Sequence, residues 1–121
     1  MKNILIMLME LISLTAMRAY AQDSPETVKI RYLIASVENL EAARFIRNGR
    51  EYDAGAAANH LRQKLKWTGS HVKTAEDFIR LCASESSMTG EPYLIRFANG
   101  TTVKAEVFFR NKLKEFVADR P

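Results

Sequence analysis

Two histidines, one cysteine and a run of serines are the side chains in this sequence that could carry group transfer: His60, His71, Cys82, Ser84, Ser86 and Ser87. Nucleophilic catalysis needs a nucleophile, a base within hydrogen-bond reach and a third group that orients the base. Cys82 follows Phe78 and Ile79 on one helical arc, so it reads as a small buried hydrophobe whose thiolate is disfavoured. The serines stand in a polar loop, without a glycine elbow or a Ser-x-x-Lys spacing. Their ordinary role is helix termination and turn hydrogen bonding. His60 lies at the edge of an apolar helical stripe with Trp67 seven residues on, which suits a half-buried ring packed on that indole. The sharper reading is a general base or a pH sensor. His60, His71 and Cys82 show no ligand spacing, so no metal is expected, and no cofactor is called for. The expectation is a protein that is not an enzyme.

Two further groups could bind rather than react. A hairpin that opposes Arg47 and Arg50 sets two guanidinium groups side by side, a candidate site for an anion or carboxylate. The ordinary reading is a pair of splayed, solvated arginines. Thr89-Gly90-Glu91-Pro92-Tyr93 resembles, with Thr for Ser, the Ser-Gly-x-x-Tyr motif of periplasmic lysozyme inhibitors. Those proteins are β-barrels, whereas this chain reads as largely helical. A Gly-Pro turn that launches a strand is the simpler role. The candidate ligand or partner contacts are therefore Arg47, Arg50, His60, Ser86, Ser87, Thr89 and Tyr93.

These residues need a scaffold, and the apolar spacing supplies one. Ser24-Pro25-Glu26 has a capping hydroxyl, a first-turn proline and an acid at the positive helix end. Ile30, Leu33, Ile34, Val37 and Leu40 then predict a helix from about Pro25 to Ala42. Phe45 to Tyr52 reads as a hairpin, because Asn48-Gly49 accepts the positive φ of a type I′ turn. That turn sets Phe45 opposite Tyr52, Ile46 opposite Glu51 and Arg47 opposite Arg50. Asp53 caps a second helix with Ala54, Ala57, Ala58, Leu61 and Leu65 inward, ended by Thr68-Gly69. Its alanines suit close approach by another element. Thr74-Ala75-Glu76-Asp77 resembles a capping box, followed by Phe78, Ile79, Leu81 and Cys82 facing inward. After a polar loop, Tyr93 to Phe97 is a strand, Asn99-Gly100 a second hairpin turn and Thr101 to Val103 its return. A last helix runs from about Lys104 to Ala118, with Ala105, Phe109, Leu113 and Phe116 inward. Phe108 falls off that stripe and is a candidate surface contact.

The order is helix–hairpin–helix, twice. A lone hairpin is marginal in water. The expected fold is α+β: two helix–hairpin–helix halves, with helices packed on one face of a small antiparallel sheet. The bare second face leaves a homodimer open.

Residues 1–21 read as a signal peptide. Lys2 is the positive n-region, Ile4 to Met17 is mostly apolar despite Glu10, and Ala19-Tyr20-Ala21 is a small-x-small cleavage site. Residues 22–121 then form a single α+β domain. No cysteine stands at the cut to carry a lipid, so no stable membrane insertion is expected after processing. A lone Cys82 makes no internal disulfide. The leader holds two bases, Lys2 and Arg18, and one acid, Glu10, so its loss takes the formal charge from +4 to +3. Acids and bases are mixed without a block of one sign, which argues against a nucleic-acid surface.

Four stretches carry a family resemblance. They are Phe45-Ile46-Arg47-Asn48-Gly49-x-Glu51-Tyr52, Ala58-x-His60-Leu61-Arg62-x-Lys64, Thr74-Ala75-Glu76-Asp77-Phe78-Ile79 and Ala83-Ser84-x-Ser86-Ser87-Met88-Thr89-Gly90-x-Pro92-Tyr93-Leu94-Ile95. In that order and spacing the chain resembles the YfeK-like exported bacterial proteins of the DUF5329 family. The resemblance implies a Gram-negative periplasmic location and carries no activity with it. Thr89 stands where Ser is expected and Glu91 where Lys is usual. The expected role is a non-catalytic periplasmic binding or interaction module for an envelope protein or a small ligand. The alternative is inhibition of an envelope-attacking hydrolase such as lysozyme through Thr89 to Tyr93. A small enzyme built on His60 and the Ser84 to Thr89 loop is the third reading.

Overall fold

The computed structural model describes residues 23–119; the expected signal peptide, residues 1–21, lies outside the described residues. Helix α1 spans Pro25–Glu38. Ser24 caps it by accepting from the Thr27 N–H at 3.1 Å, and Pro25 sits where a missing N–H costs nothing. Ile30, Leu33, Ile34 and Val37 are buried along one face. The helix ends at Glu38 rather than Ala42, because Asn39 leaves helical geometry and Ala42 takes a φ of 54° that turns the chain toward the sheet.

Strands β1 (Arg44–Arg47) and β2 (Arg50–Tyr52) form the expected hairpin. Asn48 and Gly49 have φ of 51° and 77°, as a type I′ turn requires, and the pairs Phe45–Tyr52, Ile46–Glu51 and Arg47–Arg50 are all present. Helix α2, Ala54–Thr68, is capped by Asp53, whose carboxylate accepts from the Ala56 N–H at 2.8 Å.

A 3-10 turn over Gly69–His71 leads to α3, Ala75–Phe78, which opens on a complete capping box. Thr74 Oγ1 accepts from the Asp77 N–H at 3.0 Å, and the Asp77 carboxylate accepts from the Thr74 N–H at 3.2 Å. Glu26 of α1 accepts from the Ala75 N–H at 3.0 Å, which ties the two helix starts together. Its bond from Lys29 holds the Glu26 carboxyl below the usual range, helped by that amide. Helix α3 then widens into a π-helical turn over Ile79–Ala83, and the Ser84 hydroxyl donates to the Ile79 carbonyl at 2.6 Å. Phe78, Ile79, Cys82 and Ala83 are buried, and Leu81 is half-buried.

Strands β3 (Leu94–Arg96) and β4 (Thr102–Lys104) precede α4, Ala105–Ala118. The second hairpin turn is of another kind from the first. The Gly100 N–H donates to the Phe97 carbonyl at 2.9 Å, and only Gly100, at φ 89°, is left-handed. Asn99 contributes its side chain instead, accepting from the Thr101 N–H at 2.9 Å.

The hairpins join through β1 and β3 into one antiparallel sheet of order β2-β1-β3-β4. Phe45 pairs with Ile95, and both are buried beneath the helices. Strand periodicity puts Ile46 and Leu94 on the opposite face, half-exposed, in the company of Arg44, Glu51, Arg96 and Lys104. The expected α+β fold, helices packed on a small antiparallel sheet, is the fold of the protein. A further expectation fails: Phe108 is not a surface contact. It is buried, with its ring 5.5 Å from that of Phe109 and 6.2 Å from that of Phe97, which folds back from the end of β3 and widens the covered face of α4. Among the described residues no helix is long and apolar enough to cross a membrane.

The two kinds of glycine make a matched test. Gly49 has a left-handed φ of 77°, whereas Gly55 lies in the first turn of α2 with only ordinary contact for an added Cβ, 3.6 Å from Asp53. Gly49→Ala should destabilise by about 1 kcal/mol or more, while Gly55→Ala should be neutral or stabilise by up to ~1 kcal/mol. Urea unfolding of the two variants checks both signs.

Candidate functional site

The inner face of the sheet and α2 do not close fully on one another. A hollow of about 160 Å³ lies between them, walled by Phe45, Leu61, Ile95 and Phe109 and edged by Ala56 and Ala57. The alanines expected to bring elements together, Ala54, Ala57 and Ala58, do so only in part. Ala58 is completely buried, whereas Ala57, with its exposed neighbour Ala56, borders open space. The hollow is apolar except where Arg47, Tyr52, His60 and Tyr93 meet it.

Those four side chains form one connected group. Arg47 points along the inner side of β1, its Nη1 2.8 Å from each ring nitrogen of His60. Its Nη2 donates to the Tyr52 hydroxyl at 3.3 Å, and the guanidinium lies 5.3 Å from the Tyr52 ring centre. The Tyr93 hydroxyl is 3.3 Å from His60 Nε2, and the two rings meet edge-on at 6.0 Å. Behind Tyr93 stands Lys64, only 5% exposed. Its ammonium donates to the Tyr93 hydroxyl at 3.0 Å and to the Glu85 carbonyl at 2.8 Å, and lies 4.9 Å from the Tyr93 ring centre. Among the described residues neither Arg47 nor Lys64 has a carboxylate partner.

Protons follow from donor arithmetic. Lysine can only donate, so the Tyr93 oxygen accepts from Lys64. Arginine likewise only donates, so a neutral His60 accepts the Arg47 N–H on whichever ring nitrogen is unprotonated. Burial holds His60 below its ordinary value of 6.5, and the nearby Arg47 and Lys64 charges push the same way. The ring is neutral at pH 7.

The remaining candidates divide by exposure. Arg50, though opposite Arg47 in register, is solvent-exposed and takes no part in the group. The loop after α3 is clasped to the first hairpin. Asn48 Nδ2 donates to the Ser86 hydroxyl at 3.1 Å, and the Thr89 hydroxyl donates to Asn48 Oδ1 at 2.6 Å. Ser86 is buried at 5% exposure, Ser87 and Thr89 are exposed, and Met88 at the apex is 92% exposed. Tyr93 is an interior residue at 8%. So the structure brings Arg47, His60 and Tyr93 together, makes Ser86 and Thr89 the fastening of the loop, and leaves Arg50 and Ser87 apart.

His60 does not pack on Trp67, which is 75% exposed; Tyr93 takes that place. Nor has His60 a serine hydroxyl or a carboxylate within hydrogen-bond reach among the described residues. Cys82 is buried, its thiol pushed up by burial, with the Thr68 hydroxyl at 3.3 Å. Among the described residues no three His, Cys, Asp or Glu side chains are grouped so as to hold a metal ion. Sequence reasoning missed two members of the group. Lys64 falls three residues after Leu61 on the apolar stripe of α2, and a charge in that position was the available signal. Tyr52 was read only as a cross-strand partner for Phe45, with no role for its hydroxyl.

Residues 24–117 match the family described as "Family of unknown function (DUF5329)". Among curated proteins the chain is similar to "Uncharacterized protein YfeK" of Salmonella typhimurium, at 38% identity over 68 residues. That match covers 56% of this chain and 57% of the relative's own length. No solved structure matches.

The lowered His60 value has a signed consequence. The unfolded chain takes up a proton near 6.5, and the folded chain resists until lower pH. The contribution to stability is therefore complete above 6.5 and declines as pH falls toward the folded value. Chemical unfolding measured over descending pH should show this decline, and His60→Asn should flatten it. An unchanged slope in that variant would place the proton uptake elsewhere.

Proposed function

The chain belongs to DUF5329, a family of unknown function, and from its geometry we propose a non-catalytic binding module that takes a small molecule into the hollow between the β1–β2 hairpin and α2. The observation that carries this reading is the hollow itself. The space of about 160 Å³ is partly open to solvent and lined almost wholly by apolar side chains, so an apolar occupant would remove that lining from water. Cavities of roughly 150 Å³ accept a single benzene ring. Convergent polar groups on an otherwise apolar lining are the usual form of a ligand site.

The module works in the periplasm. Support for that address comes from the sequence: Lys2, the apolar run Ile4 to Met17 and the Ala19-Tyr20-Ala21 site. The inhibitor alternative draws no support from its loop. The Thr89 hydroxyl is held by Asn48, and Tyr93 belongs to the interior.

Two measurements test these readings. Thermal unfolding in the presence of a series of one-ring compounds, neutral and charged, should rise for at least one of them, and Ala57→Leu should abolish that rise while the variant stays folded. A flat response across the series would sink the binding reading. Protein recovered from the periplasm of an expressing Gram-negative cell should begin at Gln22 by intact mass; a full-length cytosolic product would reject the address.

A further inference from the structure

The donors and acceptors around the hollow are unevenly supplied. Tyr93 oxygen already accepts from Lys64, and Tyr52 oxygen already accepts from Arg47. The unprotonated ring nitrogen of His60 is met by Arg47 in either tautomer. Every side-chain acceptor at the rim is thus met by an internal donor. What is left to face an occupant is one kind of group only: the unspent N–H groups of Arg47 and the Tyr52 O–H.

Charge is uneven in the same sense. Arg47 is half-buried and Lys64 nearly fully buried, and no carboxylate among the described residues answers either. A buried cation without a counter-ion is expensive, and one that stacks on and donates to neutral groups recovers only part of that cost. The chain has acids to spare elsewhere: Glu26, Glu38, Glu51, Asp77 and Glu106 all pair with surface bases. None is directed to this corner.

We propose that the occupant of the hollow is a small carboxylic acid bound as its anion, with one ring or a short branched chain in the apolar space and the carboxylate at the rim against Arg47. The inference rests on the hollow being a binding site. A carboxylate is planar and matches the guanidinium fork, and its two oxygens can take Arg47 and the Tyr52 proton together. Lys64 stays behind Tyr93 and acts through its field and by holding the Tyr93 hydroxyl in place. It is a positioning residue rather than a contact.

The test compares probes of equal size, benzoate, benzamide and benzyl alcohol, by calorimetry at pH 7 on the purified protein. Benzoate should bind at least about tenfold more tightly than either neutral probe. Arg47→Gln should erase that advantage, with benzoate falling to the level of the neutral probes, while cooperative thermal unfolding shows the variant to be folded. Tyr52→Phe, which removes one donor and no charge, should weaken benzoate several-fold and more than it weakens benzyl alcohol. If the neutral probes bind as well as benzoate or better, the acid inference is overturned and the binding reading stands. If benzoate keeps its advantage in Arg47→Gln, the assignment of Arg47 is overturned. If no probe binds, both the inference and the reading beneath it fall.

Discussion

A lysine ammonium placed inside an apolar helix face must find acceptors, and much of this molecule is arranged by that demand. Lys64 sits at 5% exposure on the buried stripe of α2. It obtains the Glu85 carbonyl from the loop after α3 and the Tyr93 hydroxyl from the start of β3. Those two bonds draw three separate pieces of chain to one point. They hold the loop against α2, and they fix the Tyr93 hydroxyl beside His60. Remove the ammonium and each of these loses its reason. The same demand explains why Tyr93, a large polar aromatic, lies inside the domain rather than on its surface.

The loop is held at its other end by a neutral clasp. Asn48 is both the first left-handed residue of the type I′ turn and the partner of Ser86 and Thr89. One residue therefore shapes the hairpin that carries Arg47 and fixes the loop that leads into Tyr93. The rim of the hollow is assembled from distant segments, but its parts are cross-braced through hydrogen bonds of ordinary length. Preorganisation of this kind lowers the ordering cost that a small occupant would otherwise bear.

Much of this architecture was legible in the residues. Alternation and the Asn-Gly turn set the register of the first hairpin, and the Thr74 and Asp77 spacing marked the capping box, because both are local rules with one dominant outcome. The second hairpin was less transparent. Asn99-Gly100 can serve two turn types, and the side chain of Asn99, bonded to Thr101, favours the one with a single left-handed residue. Phe108 was misjudged because helical periodicity describes one neighbour at a time, and the residue that covers it, Phe97, arrives from another hairpin. The candidate site was half visible. Arg47 and His60 stood out by type, but their meeting depends on the pairing of β1 with the face of α2, which spacing alone does not encode. Lys64 was hidden in plain view as a charge on an apolar stripe. The inward alanines of α2 suit close contact by their size, and only three-dimensional packing shows that Ala57 borders open space.

The ends of the sheet carry a consequence of their own. The outermost strands, β2 and β4, are three residues each, and they bear Arg50, Glu51 and Lys104. A short, charged border offers few free amide and carbonyl groups to a neighbouring chain, and its charged side chains would have to lose water before a second strand could pair there. Copies of the domain at high concentration thereby resist stacking edge to edge into fibrils, whatever their broad faces do.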